Sequence, residues 1–276
     1  MALDSLTLDL ISMALTEDIG PGDITSALIP EDSRGEAYLV AKESIVLAGT
    51  EAFMEVFAQV DDSTEVEFTA ADGDELTQGQ TFANISGLTR SILTSERVAL
   101  NILQHMCGVA SLSRECAEAV HPHSVKVVDT RKTLPGLRAL EKHAVRVGGC
   151  HNHRFGLFDG VLIKDNHIAA MGGITEAINA ARKTAHHLLK IECEVTTVDE
   201  FKEAVAAGSD IIMLDNMSLE DMKAAVVQNE GRALLEASGN VTLDRLPDIA
   251  ATGVDLISMG GLTHSVRAAD ISLRWK

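Results

Sequence analysis

The chain has 276 residues, 46% of them hydrophobic but only 3% aromatic, and a formal net charge of -18. That length admits one large domain or two modest ones, with a sizeable core packed mainly by Ala, Val, Leu and Ile. So negative a chain repels nucleic acid and anionic membranes, which excludes both as partners. No apolar run approaches the ~20 residues of a membrane span. "MALDSLTLDL" has neither a basic n-region nor a continuous apolar core, so no signal peptide is expected. Cys107, Cys116, Cys150 and Cys193 lie far apart with no CxxC pair, as expected of free thiols in a reducing cytoplasm.

Residues 5–17 are predicted as an opening helix, with Ser5 as cap and Leu6, Leu10 and Met13 on one face. "IGPGD" ends it with turn-forming residues. Residues 36–88 show short alternating runs punctuated by glycine, and "ADGDELTQGQ" reads as a hairpin-like turn region. A small, mainly antiparallel sheet is expected there. Residues 94–120 are predicted as one long helix with Leu103, Cys107 and Ala110 along a stripe. The boundary between an N-terminal domain, 1–108, and a second domain, 109–276, is placed within it.

From residue 125 apolar runs recur: "VKVVDT", "GVLIKDN", "KIECEV", "DIIMLDN", "ALLEASG" and "DLISMGG". Helical segments separate most of them, including 174–188, 199–207 and 218–228. Alternating strand and helix implies a parallel sheet. Polar residues at the carboxyl ends of the runs suggest an α/β barrel of the TIM type, whose active site lies on that rim. Six runs fall short of the eight strands of a full barrel, so the barrel is incomplete or a strand is hidden in 109–124.

The rim gathers Asp129 to Lys132, Lys164 to His167, Glu194, Asp215, Asn216, Ser238 to Asn240 and Met259 to Gly261. Between Lys126 and Lys164 there are eight Lys/Arg against three Asp/Glu, a cationic patch in an acidic protein and hence a site for a small anionic ligand. Arg131, Lys132, Arg154 and Lys164 are candidates for carboxylates or phosphates, Arg for planar bidentate contact and Lys as a point charge. Lys164 directly follows "GVLI", and a lysine at that depth needs a partner or a function. "EASGN" and "SMGGLTHS" read either as phosphate cradles or as ordinary strand–helix turns. Glu194 and Asp215 could bind Mg²⁺, hold ribose hydroxyls, stabilise a cationic transition state, or pair with Lys164 or Arg131.

Other readings compete. "GGCHNHRFG" invites zinc, but Cys150, His151 and His153 are too tightly spaced for a usual zinc motif and no second ligand pair is evident. Lys164 could instead form a Schiff base. The "DGDELTQGQTFANISG" hairpin resembles a biotinyl or lipoyl carrier fold, yet Asp74 to Thr77 offers no lysine at the tip.

Beyond these patterns, "EDIGPGDIT", "SERVALN", "DTRKTLPGLR", "EKHAVRVGGCHNHRFGLFDGVLIKDNHI", "ECEV", "MLDN", "EASGN" and "GGLTHS" resemble, in order along nearly the whole chain, the quinolinate phosphoribosyltransferase family. The resemblance implies an N-terminal α/β sandwich joined to an incomplete α/β barrel. It implies that quinolinate and phosphoribosyl pyrophosphate react to nicotinate mononucleotide, pyrophosphate and CO₂, with Mg²⁺, in a homodimer or larger homo-oligomer. It further implies that Arg131, His153 and Arg154 clamp the quinolinate carboxylates beside Thr130, and that Lys132 and Lys164 contact anionic groups. Glu194 and Asp215 would face the ribose and its metal-bound pyrophosphate. Ser238, Gly239, Asn240, Met259, Gly260 and Gly261 would hold the 5′-phosphate, and Arg97 would reach into a neighbouring subunit's site. Ala237 and Asn240 stand where small residues or glycine are frequent in the family.

Overall fold

A computed structural model describes residues 3–276. The chain begins with α1 (Ser5–Ile19), β1 (Arg34–Ala41), β2 (Ile45–Val46), α2 (Thr50–Val60), β3 (Glu65–Phe68), β4 (Glu75–Leu76) and β5 (Thr81–Leu88). The long α3 (Thr89–Ala119) leads to β6 (Lys126–Val128), α4 (Arg138–Val147), β7 (Val161–Ile163), α5 (Asp165–Met171) and α6 (Ile174–Thr184). There follow β8 (Ile191–Val195), α7 (Val198–Ala206), β9 (Ile211–Asp215), α8 (Leu219–Asn229) and β10 (Leu234–Ser238). The chain closes with α9 (Leu246–Ala250), β11 (Leu256–Ser258), α10 (Gly261–His264) and β12 (Ile271–Trp275). Two compact units result: residues 1–114 with 134–149 and 265–276, and residues 115–133 with 150–264. No single cut in the chain separates them, and the passage from the first to the second falls inside α3.

The first unit is built on an antiparallel sheet of order β12-β1-β5-β3. Its core includes Phe53 and Phe57 of α2, whose rings lie 5.1 Å apart, with Phe68 edge-on to Phe53 at 5.6 Å. The sheet expected over 36–88 is interrupted by α2, in which Ala52, Phe53, Val56 and Phe57 repeat with helical period and are buried. Gly49 at the helix start has no capping side chain, so Asp72 serves from a distant loop. Its carboxylate accepts the Gly49 and Thr50 N–H groups at 3.1 Å and pairs with His143 of α4 at 3.0 Å. Burial alone would raise Asp72, but these hydrogen bonds outweigh it and leave its carboxyl below the usual range. Gly35 of β1 admits the Trp275 ring of β12: a Cβ there would meet the indole at 2.3 Å.

The cap and buried face of α1 differ from expectation. Asp4, not Ser5, accepts the Thr7 N–H at 2.8 Å. The buried side chains are Thr7, Ile11 and Leu15, whereas Leu6 and Met13 are exposed, a rotation of the stripe around the helix. The stripe predicted for α3 is buried as expected at Leu103, Cys107 and Ala110.

In the second unit six parallel strands run in the order β6-β11-β10-β9-β8-β7. The segment 109–119 is helical and hides no further strand. Beyond β6, one parallel bridge joins Val128 to His151, so a stub of extended chain stands where a further barrel strand would run. Along β8 the side chains alternate: Ile191, Cys193 and Val195 on one face, Glu192 and Glu194 on the other. All four cysteines are buried outside any disulfide, and burial pushes each thiol up to about 12.

Candidate active site

The site is assembled at the carboxyl ends of the strands of the second unit. After β6, Asp129 is fully buried and accepts the Asn152 side-chain amide at 2.7 Å and the His153 N–H at 2.8 Å. A buried carboxylate with such donors ties the 151–154 segment to the end of β6. The next residues form a tight turn: Thr130 Oγ1 accepts the Lys132 N–H at 3.0 Å, and the Lys132 carbonyl accepts from Thr263 at 2.7 Å. A Cβ on Gly260 would meet the Lys132 side chain at 3.0 Å, so the loops after β6 and β11 are in direct contact.

Arg131 is exposed and Arg154 half-buried, and they are close enough to repel. Burial first, and the Arg131 charge second, push the Arg154 guanidinium below its ordinary value. Arg154 Nη1 donates to the Gly160 carbonyl at 2.8 Å, which orients the guanidinium. His153, expected as a direct clamp, has both ring nitrogens engaged within the protein. Nδ1 accepts the Arg154 N–H at 2.7 Å, and Nε2 lies 3.0 Å from Glu192 and 3.6 Å from Glu236. Its ring therefore supports Arg154 and does not offer a nitrogen to an anion.

Lys164 is not at the depth its apolar lead-in suggests, because β7 ends at Ile163 and the side chain emerges from the rim, 46% exposed. Its ammonium meets Glu194 of β8 at 2.6 Å. On the adjacent strand end, Asp215 accepts the Asn216 side-chain amide at 2.8 Å. Asn216 and Asn240 are left-handed, with φ of 53° and 49°, and are joined by a 2.9 Å hydrogen bond. Between them Gly239, at φ 94°, brings its backbone so close that a Cβ would lie 2.2 Å from Asn216 Oδ1. The position after Gly239 needs left-handed backbone, which asparagine adopts more readily than other side chains.

Met259 belongs to the loop expected to hold the 5′-phosphate, and it turns its side chain away from that loop's surface. Its side chain is buried 3.7 Å from the Cys116 sulfur, and its N–H is used by the Val128 carbonyl at 2.9 Å. Gly260 and Gly261 are only partly covered and remain as the exposed backbone of that loop. Arg97 belongs to α3 of the first unit and is exposed. Arg131, Lys132, Arg154, Lys164, Glu194, Asp215 and both glycine loops therefore share one edge of one sheet. Sequence reading missed Glu192 and Glu236, buried on β8 and β10. The signal was present, since "ECEV" puts Glu192 on the face of Glu194 two residues on.

Glu194 and Asp215 supply hard oxygen donors at the ends of neighbouring strands, the donor type Mg²⁺ takes, with Glu194 paired to Lys164. Among the described residues, the one group of three possible ligands is His153, Glu192 and Glu236.

Comparison with known proteins agrees along the chain. A family model described as "Quinolinate phosphoribosyl transferase, C-terminal domain" matches residues 109–274, and one for the N-terminal domain matches residues 23–107. A relative from Bacillus subtilis (strain 168), named "Probable nicotinate-nucleotide pyrophosphorylase [carboxylating]", is 44% identical over 96% of this chain and 91% of its own. A chloroplastic nicotinate-nucleotide pyrophosphorylase [carboxylating] from Arabidopsis thaliana is 45% identical over 96% of this chain and 81% of its own. The structure of the nicotinate-nucleotide pyrophosphorylase from Francisella tularensis superposes with a TM-score of 0.96 at 39% identity, covering 100% of this chain and 98% of that one. With both domain models matched in order and such identity across nearly its whole length, the chain belongs to the quinolinate phosphoribosyl transferase family.

Proposed function

We infer that the chain transfers the phosphoribosyl group of phosphoribosyl pyrophosphate to quinolinate with decarboxylation, giving nicotinate mononucleotide, pyrophosphate and CO₂. The observation that carries this reading is that Arg131 and Arg154 share one rim of a protein of net charge -18, near enough for the Arg131 charge to push the Arg154 guanidinium down. Such an arrangement is stabilised by a polyanion, and two guanidinium planes suit a dicarboxylate. Arg131 and Arg154 would grip quinolinate, with Thr130 alongside and His153 acting through Arg154.

Lys132 and Lys164 would contact the anionic groups of both substrates. Ser238, Gly239, Asn240, Gly260 and Gly261, with Met259 behind them, would frame the 5′-phosphate. In transfer, the pyridine nitrogen bonds to the anomeric carbon as the C–O bond to pyrophosphate breaks. Positive charge develops on that carbon, and Glu194 and Asp215 would stabilise it. The product nitrogen is then cationic, and its charge stabilises the electron pair left on the adjacent ring carbon as the carboxylate leaves as CO₂. A proton fills the vacated carbon. Glu194 and Asp215 would also hold Mg²⁺, directly or through water, and that ion would neutralise the departing pyrophosphate. A homo-oligomer in the cytoplasm, with Arg97 shared between subunits, completes the reading.

A Schiff base at Lys164 is disfavoured by its ion pair with Glu194 and its exposure, since such lysines are desolvated or set beside other cations. The decisive assay is formation of nicotinate mononucleotide from quinolinate, phosphoribosyl pyrophosphate and Mg²⁺, beside a nicotinate control. Product from nicotinate but not from quinolinate would overturn the reading. Free nicotinate preceding any nucleotide would overturn the order of steps.

A further inference from the structure

Beneath the rim lies a group that the reaction does not use directly. Glu192 and Glu236 are 4% and 1% exposed, on β8 and β10, and converge on His153 with one possible ligand atom from each residue within 4.8 Å of the others. Glu192 Oε1 and both Glu236 oxygens have no hydrogen-bond partner among the described residues. Two buried carboxyls so placed demand a metal, a proton or a structural task.

The far side of the imidazole decides between these. A metal on Nε2 requires that nitrogen bare, and ligating histidines donate from the other one. Here Nδ1 accepts the Arg154 N–H, so the proton of the neutral ring resides on Nε2 and points to Glu192. Glu236 closes the same pocket at 3.6 Å. Its carboxyl is raised, by burial first and then by the neighbouring Glu192.

We propose that Glu192 is a positioning residue for the pyridine dicarboxylate: it fixes His153 as its Nε2–H tautomer, and His153 fixes the backbone of Arg154. This rests on reading Arg154 as the quinolinate ligand. The chain of contacts runs from Glu192 Oε2 to His153 Nε2, through the ring, and from Nδ1 to the Arg154 amide. Asp129 holds the same segment from the other side, through the His153 N–H. The Arg154 guanidinium then has its other anchor at Gly160. The substrate would meet an arginine whose backbone is already set, which lowers the ordering cost of binding.

The test compares Glu192→Gln, which keeps an acceptor for Nε2–H, with Glu192→Leu, which removes it. Removal should raise the quinolinate KM roughly tenfold or more while the phosphoribosyl pyrophosphate KM stays within about twofold, and Gln should recover most of the loss. Equal rises in both KM values, a wild-type Leu variant, or a Gln variant as impaired as Leu would overturn the proposal. Ring ¹⁵N shifts of His153 in the wild-type protein, assigned against His153→Asn, should show Nε2–H. A proton on Nδ1, or an imidazolium, would overturn it even if the Leu variant fails to fold. So would a stoichiometric transition metal in the purified protein that is lost in Glu236→Gln. Absence of product from the wild type would sink the functional reading instead, and the tautomer would still judge the His153 contact by itself.

Discussion

Gly239→Ala is the sharpest probe of the phosphate loops. At φ 94° an alanine is strained wherever it points, and its Cβ would lie 2.2 Å from Asn216 Oδ1, 2.5 Å from its Cγ and 2.9 Å from its backbone nitrogen. The strained backbone alone costs about 1–3 kcal/mol. Asn216 must also swing away and release Asn240, which loses about another 1 kcal/mol of hydrogen bonding. The total, about 2–4 kcal/mol, should lower Tm by roughly 5–15 °C in a chain of this size. If the loop cradles the 5′-phosphate, the KM for phosphoribosyl pyrophosphate should rise about tenfold or more while that for quinolinate stays within about twofold. Steady-state kinetics with each substrate varied in turn, beside a thermal melt, reads both. A lower Tm with an unchanged phosphoribosyl pyrophosphate KM would refute the cradle. An unchanged Tm would refute the steric reasoning itself.

Arg154→Ala should raise the quinolinate KM by roughly 10- to 100-fold and spare phosphoribosyl pyrophosphate, as loss of a charge-assisted contact requires; equal effects on both substrates would count against the clamp. If Glu194 and Asp215 act in the transition state, Glu194→Gln and Asp215→Asn should lower kcat more than substrate affinity, and unchanged turnover in both would remove that role. Subunits carrying Arg97→Ala mixed with subunits carrying Arg154→Ala should regain activity if sites are shared between chains; no recovery places each site within one chain. Asp72, lowered on folding, adds stability above its unfolded value of 3.8 that disappears as pH falls through the lower folded value. Asp72→Asn should therefore be less stable than wild type at neutral pH, with the gap closing below about pH 4 in urea titrations.

The second unit was the more legible half. Most of its six strands end an apolar run in a polar residue, β8 with its two glutamates being an exception, and that contrast survives translation from sequence to sheet. The first unit was harder because its elements depend on distant partners. The helix from Thr50 to Val60 is capped by Asp72, and β12 gains its place only by pairing with β1. A short segment such as "ISLRW" carries no local signal of that pairing. At the site, the rim residues stood out because charge beside an apolar run is conspicuous. Glu192 and Glu236 escaped notice because their significance comes from convergence on His153, which no spacing along one strand records. Lys164 was misjudged in depth for a related reason: an apolar lead-in tells where a strand lies, not where it stops.

The pairing of β12 with β1 has a consequence for biogenesis. On the ribosome the second unit is complete before Ile271–Trp275 emerges, so the outer edge of β1 waits, its amides unclaimed, through synthesis of the entire parallel sheet. An open edge of that kind is a docking strip for stray strands. The nascent protein should be most prone to aggregation, and most in need of a chaperone, in the interval just before its final strand is delivered.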